Sequence, residues 1–263
     1  MKKLLLTLLV ALLALFCNAQ KKETTKQSRK AEKRQKYAAM AKQEEEGVLS
    51  YTRQNTFGIQ LRTNGYGLFY EHGRMKTPRF TNMYMVELTE TKHQKEDRVQ
   101  SQEGAFGGSF VYGKINNFYQ LKLGFGQQYI FGQKGNKNGI AVMGIYQGGL
   151  SVGLLRPYYL DVEDNGTKRS VKYESADSVI FLSNNILGSS GLSKGWNELK
   201  VRPGAFLKAA LRFDFNKYNE KVQAVQIGLS VEAYAQKIPQ IIERKPQQIF
   251  FQGHLAYVFG GRR

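Results

Sequence analysis

The chain has 263 residues, 41% of them hydrophobic, one cysteine and a formal net charge of +18. A single cysteine excludes a disulfide-stapled scaffold, and the length is ample for one large domain. Beyond the first twenty residues no apolar run reaches eighteen, so no transmembrane helix is predicted.

The first element is a signal peptide over residues 1–19. Lys2 and Lys3 form its positive start, Leu4–Phe16 its apolar stretch, and Cys17-Asn18-Ala19 places a small residue at the cut before Gln20. Bulky Phe16 stands where a lipidated Cys17 would need a small neighbour. Two of the eighteen positive charges leave with Lys2 and Lys3, so the remainder carries +16. Such basicity suggests nucleic acid, but export argues against it. The expected counter-charge is outer-membrane lipid or an anionic envelope polymer.

Residues 20–50 form a charged periplasmic tail. Gln20–Glu46 contains no Gly or Pro, and Lys21–Lys36 holds eight basic and two acidic residues. The composition favours helix, yet apolar side chains are too few for a core-facing stripe. A short helical or disordered segment is expected, able to reach a periplasmic or envelope protein partner.

Residues 51–263 then read as an all-β, antiparallel transmembrane β-barrel. Phe57, Ile59 and Leu61 alternate with Gly58, Gln60 and Arg62 before the hairpin dipeptide Asn64-Gly65, and Gly67–Glu71 is the return strand. Further strands are expected around Tyr84–Leu88, at Phe106–Tyr112, over Tyr119–Phe131, after Asn138-Gly139 and at Leu150–Leu160, the last two separated by a turn at Gly148-Gly149. Asp161–Lys200 is the longest irregular stretch, with a short helix over Ser178–Leu187, and belongs to an outer loop of the kind that carries function. The alternation is cleanest at the end. Ala205, Leu207, Ala209, Leu211, Phe213 and Phe215 face outward against Phe206, Lys208, Ala210, Arg212 and Asp214, and Val225–Ala235 and Ile249–Phe259 repeat the pattern. Eleven-residue strands match a bilayer crossing. Aromatics gather near their ends as interfacial girdles do. The preferred count is ten strands, with eight as the alternative; both are even numbers that leave the two ends in the periplasm.

The inward set includes Arg62, Glu87, Lys122, Lys208, Arg212, Asp214, Glu232 and His254. Opposite charges in a narrow bore are expected to pair, so the lumen is read as a salt-bridge plug rather than a pore. No catalytic, cofactor-binding or metal-ligating residue emerges, and no cofactor is expected. His72, His93 and His254 lack metal-ligand spacing. A serine on a neighbouring strand, such as Ser230, is the one candidate partner for His254. Gly65-Tyr66-Gly67 and Gly124-Phe125-Gly126 lack the third glycine of a nucleotide loop. Asn165-Gly166-Thr167 marks an exposed loop.

Several tracts recur together: Ala19-Gln20 at the signal's end, Asn64-Gly65-Tyr66-Gly67, Gly113-Lys114-Ile115-Asn116-Asn117, Gly153–Leu160, Gly195–Lys200 and Pro203-Gly204. With them the sequence resembles a group of outer-membrane β-barrel proteins of the Bacteroidetes over roughly residues 55–259. The resemblance implies the barrel and the cell outer membrane, and it carries over no catalytic residue. The expected role is that of a non-enzymatic envelope or secretion/assembly accessory protein. A small porin-like channel is the alternative, and an outer-membrane lipid-modifying enzyme a further one.

Overall fold

A computed structural model describes residues 51–263 except 102–107, 137, 165, 175–180, 182–185 and 243, together with Ala31, Arg34, Gln35 and Leu49. The signal peptide and nearly all of the charged tail lie outside the described residues; Ala31, Arg34 and Gln35 are helical and exposed. The strands in chain order are β1 (Arg53–Arg62), β2 (Gly65–Met75), β3 (Phe80–Thr91), β4 (Arg98–Gln100), β5 (Ser109–Val111), β6 (Asn116–Gly132) and β7 (Ala141–Pro157). They continue with β8 (Tyr159–Asp164), β9 (Thr167–Lys172), β10 (Ile186–Ser189), β11 (Lys200–Asp214), β12 (Lys221–Ile238) and β13 (Gln247–Arg262).

Eight of them close into an antiparallel barrel in the order β1-β13-β12-β11-β7-β6-β3-β2. The seam pairs the first strand with the last, from Gln54 opposite Arg262 to Arg62 opposite His254. The count is therefore eight, not the preferred ten. Two expected strands disappear for different reasons. Ser109–Val111, within the expected Phe106–Tyr112 strand, pairs with β4 inside an outer connection and never joins the wall. Gly148-Gly149 is not a turn: β7 runs unbroken through it for seventeen residues. Gly149 lies between Gly124 of β6 and Phe206 of β11 in the register. A Cβ at Gly149 would stand 2.1 Å from the Leu123 carbonyl oxygen, and one at Gly124 would stand 2.7 Å from the Phe206 ring. Gly124 makes room for the inward Phe206 ring and Gly149 for the β6 backbone, both regular uses of strand glycine.

The start of β1, the end of β13 and the turns 76–79, 133–140 and 215–220 share one mouth, while the two longest connections, 92–115 and 158–199, lie at the other. That asymmetry sets the terminal mouth toward the periplasm. The stretch 161–200 is more regular than its composition suggests. β8, β9 and β10 form a small sheet of their own, ordered β10-β8-β9. Ile186 and Leu187 belong to β10 rather than to the expected helix, and of 178–185 only Phe181 is described. Pro157 closes β7, and Pro203 sits inside β11 near its outer end.

Phe110, Tyr158, Leu160, Val162, Val171, Phe181 and Ile186 form a core of their own above the barrel, with Ile242 packed against it. Backbone bonds join the connections that supply it: Ile115 N to Gln240 O at 2.7 Å, Ile242 N to Gly113 O at 2.9 Å and Tyr158 N to Ile115 O at 2.8 Å. The outer connections thus fold into one cap rather than separate loops.

Candidate functional site

Side chains alternate around the wall in a sense opposite to that of a water-soluble protein. Phe57, Ile59, Leu68, Val86, Leu123, Leu150, Leu207, Ile227, Leu229, Phe251 and Leu255 face outward and are exposed, Phe251 at 73%. Arg62, Glu71, Glu87, Lys122, Arg212, Asp214 and Glu232 face inward and are buried, Asp214 and Glu232 at 0%. A closed sheet with an apolar exterior and a polar bore leaves no backbone group unpaired in hydrocarbon. This chain is an outer-membrane β-barrel. Its lower girdle is a chain of ring contacts, with Phe57–Tyr70 and Phe80–Tyr129 centroids 4.8 Å apart and Tyr84–Phe125 at 5.3 Å.

No family model matches the sequence, and no curated protein matches it. Among solved structures the chain is similar to Neisserial surface protein A, at 6% identity and a TM-score of 0.41, covering 80% of this chain and 96% of that one. It is also similar to the N-terminal β-barrel domain of Pseudomonas aeruginosa OprF, at 10% identity and a TM-score of 0.36, covering 80% and 98%. A third is Ail, the attachment invasion locus protein of Yersinia pestis, at 9% and 0.35, covering 81% and 100%. At these values none of the likenesses bears on what this chain binds.

The bore is filled in layers, and all eight inward residues expected from the sequence are there. In the upper ionic layer Glu232 accepts from Arg62 and, at 2.5 Å, from Lys122, while Glu87 accepts from Lys122 at 3.0 Å and Lys208 at 2.8 Å. Gln120 bridges Arg62 and Glu232, receiving from one at 2.8 Å and donating to the other at 2.7 Å. The lysine ammonium groups also lie over rings, Lys208 Nζ 4.7 Å from the Phe69 centroid and Lys122 Nζ 5.7 Å from that of Phe206. The lower layer centres on Glu71, which accepts from Arg212 at 2.5 Å, Gln147 at 3.0 Å and Thr56 at 3.2 Å. At the base Asp214 pairs with Arg262 at 2.7 Å and Lys134 at 3.9 Å.

Apolar stoppers close both mouths. Phe118, Leu155, Tyr234, Ile238 and Phe250 pack above the upper ions. Leu49 and Tyr51, which precede β1, pack with Ile130, Ala141 and Met143 below. Tyr51 is pinned to Thr81 at 2.9 Å and Gln128 at 3.0 Å. Eight strands leave an interior just wide enough for such side chains.

The candidate Ser–His pair does not form. His254 Nε2 lies 3.1 Å from the Gln226 amide, whereas the Ser230 hydroxyl accepts from Arg62 at 3.1 Å. His72 contacts Asn55, and His93 sits in the loop after β3. Among the described residues no three His, Cys, Asp or Glu side chains gather as a metal site.

The outer surface carries a second arrangement. Arg156, at the top of β7, lies beneath Trp196 and Tyr119, 5.0 Å and 5.6 Å from their rings, and its guanidinium donates to Leu192 O at 2.6 Å. This clamps residues 192–198 to the wall. Gly195 turns there with φ +85, and a Cβ on it would stand 2.9 Å from Pro157 O. Beside the clamp opens a cavity of about 420 Å³ lined by Tyr159, Ser170, Lys194, Trp196, Asn197 and Glu198. Hydrogen bonds from Lys172 and Tyr159 hold the Glu198 carboxyl below the ordinary glutamate range, and the same bond to Glu198 raises the Tyr159 phenol. Burial works against the charged form of Asp161, but hydrogen bonds from Ser170, Ser190 and Lys168 outweigh it and lower that carboxyl.

Proposed function

We propose that this barrel is a closed, non-enzymatic scaffold of the outer membrane that displays its outer cap and serves an envelope or surface-assembly machinery as an accessory protein. The observation that carries the reading is the bore: two ionic layers held between two apolar stoppers. Every inward carboxylate named above is engaged by a cation or amide, so none stands free to draw an ion through. A porin-like role needs a wider lumen than eight strands supply, and a hydrolytic one needs a base beside its serine, which His254 is not. The resemblance to the Bacteroidetes barrel group, with its shared tracts around Gly153–Leu160 and Gly195–Lys200, fits the same reading. The basic tail is assigned the periplasmic contact with a partner protein.

Planar-bilayer recording tests the seal. The purified full chain is expected to give no large, steady conductance steps, and such steps would overturn the reading. In the same preparation a variant lacking Lys21–Glu46 is expected to keep its heat-shifted gel mobility, the signature of a folded barrel, and to lose its crosslinked envelope partner in cells. Unchanged crosslinks would remove the tail from the account.

A further inference from the structure

The periplasmic mouth is strongly cationic. Arg53, Arg74, Lys76, Arg79, Lys217, Lys221 and Arg263 are exposed there, and Glu220 is the one exposed acidic residue at this end among the described residues. None of these cations has an ion pair among the described residues. One part of the rim has a finer order. On the outer face of β1 and β2 the register sets Ile59 opposite Leu68, then Phe57 opposite Tyr70, then Asn55 opposite His72, then Arg53 opposite Arg74. Descending toward the periplasm, the wall thus passes from aliphatic to aromatic to neutral polar to cationic within eight residues of chain.

The polar rung is built rather than incidental. Asn55 Oδ1 lies 2.6 Å from His72 Nδ1 and accepts from the Tyr70 hydroxyl at 3.3 Å. The cationic rung is costly by itself, because like charges directly opposite each other on antiparallel strands repel. Lys76 and Arg79, in the turn that follows β2, add two more cations beside it. No carboxylate among the described residues answers this rung.

We propose that this face of β1–β2 is a binding site for an anionic phospholipid of the periplasmic leaflet. Arg53 and Arg74 hold the phosphate, Asn55, His72 and Tyr70 stand at the level of the glycerol and ester groups, and Phe57, Ile59 and Leu68 line the acyl chains. The order of side chains along the wall is the order of polarity along such a lipid, and arginine suits phosphate better than lysine does. A soluble polyanion would use the cations but would have no use for the graded wall above them. Lys221 stands beneath a similar gradation, Ile227–Leu255, Val225–Tyr257 and Gln223–Phe259, but opposite Gly261 it offers one lysine where β1–β2 offers a facing pair of arginines.

The test is lipid selectivity of the full barrel in phosphatidylcholine vesicles, read as the motionally restricted fraction of spin-labelled phosphatidylglycerol against spin-labelled phosphatidylcholine. Wild type is expected to prefer phosphatidylglycerol. R53Q/R74Q is expected to lose that preference by about fivefold for each arginine removed, and K217Q/K221Q, with equal charge loss, to keep most of it. R53K/R74K should fall between. Heat-shifted mobility confirms that each variant is folded, and R53Q alone serves where the double variant does not fold. Equal losses in both double variants, or no selectivity in wild type, would overturn the site. So would tight binding of polyphosphate by the detergent-solubilised barrel without any preference for phosphatidylglycerol in vesicles.

Discussion

Glu232 is the residue on which the upper ionic layer turns, since it takes both Arg62 and Lys122 and is also reached by Gln120. Removing one member of a buried ionic group leaves uncompensated charge, at a cost of about 3–5 kcal/mol. Glu232→Gln is expected to lower the unfolding free energy by that order in a denaturant titration of the vesicle-embedded barrel. The exposed Glu220→Gln should stay within about 0.5 kcal/mol of wild type. A small loss at Glu232 would mean that the layer is hydrated and not a seal. Much of this site was legible from alternation, because every second residue of β11, β12 and β13 is unambiguous. Glu71 was not among the expected inward residues although it anchors the lower layer. It stands in Gly67-Leu68-Phe69-Tyr70-Glu71-His72-Gly73, where an aromatic and a polar residue fall on each face, Phe69 with Glu71 and Tyr70 with His72, so that no face can be chosen from the pattern. Lys134 and Tyr51 reach the bore from outside the strands, so alternation could not have placed them.

At the scale of elements, the outer cap has its own chemistry. The sheet β8-β9 and the clamped segment 192–198 meet where Glu198 accepts from Tyr159 at 2.6 Å and from Lys172. A carboxylate whose folded value is depressed contributes stability that is present above its unfolded value and lost as pH falls through the folded one. For Glu198 that window lies below the ordinary value of 4.5. Lys172 is shifted upward, so its contribution is full below 10.5 and fades only as pH rises beyond that. The cap should therefore hold through neutral pH and loosen at the acid side first. Trp196, the chain's one tryptophan, stacks on Tyr119 beside this junction and reports it directly. Its emission is expected to shift below about pH 4.5 in wild type and to be flat there in Glu198→Gln. A transition of the same midpoint in both would place the acid-sensitive group elsewhere. The cap's sheet reads as irregular because β8 to β10 are only four to six residues long, β9 exposes Lys168 and Arg169, and β10 contains Gly188. The extra barrel strand is expected because a double glycine signals a hairpin locally, while the close approach of the β6 backbone to Gly149 and of the Leu207 side chain to Gly148 is a contact only the closed barrel supplies.

Taken as a whole molecule, the barrel is a charged rod sheathed in hydrocarbon-compatible side chains, and its interior is not neutral. Arg62, Lys122, Lys208, Arg212, Lys134 and Arg262 outnumber Glu71, Glu87, Glu232 and Asp214 among the buried residues named. The balance matters because a filled bore excludes ions in two ways, by volume and by the absence of unpaired charge. Replacing Arg62, Lys122 and Lys208 with alanine removes three long side chains from one level and leaves Glu87 and Glu232 facing the space. Water then enters, and the field along the bore favours cations. The triple variant, once shown to be folded by its heat-shifted mobility, is expected to conduct across planar bilayers with a reversal potential on the cation side of a potassium chloride gradient. The converse variant, Glu87→Ala with Glu232→Ala, leaves those three cations unbalanced and should leak with the opposite sign. Matched signs would show that selectivity is set elsewhere in the bore. Silence from both variants would assign the seal to the apolar stoppers at Phe118–Phe250 and Leu49–Tyr51, and the ionic layers would then hold the wall in register without closing it.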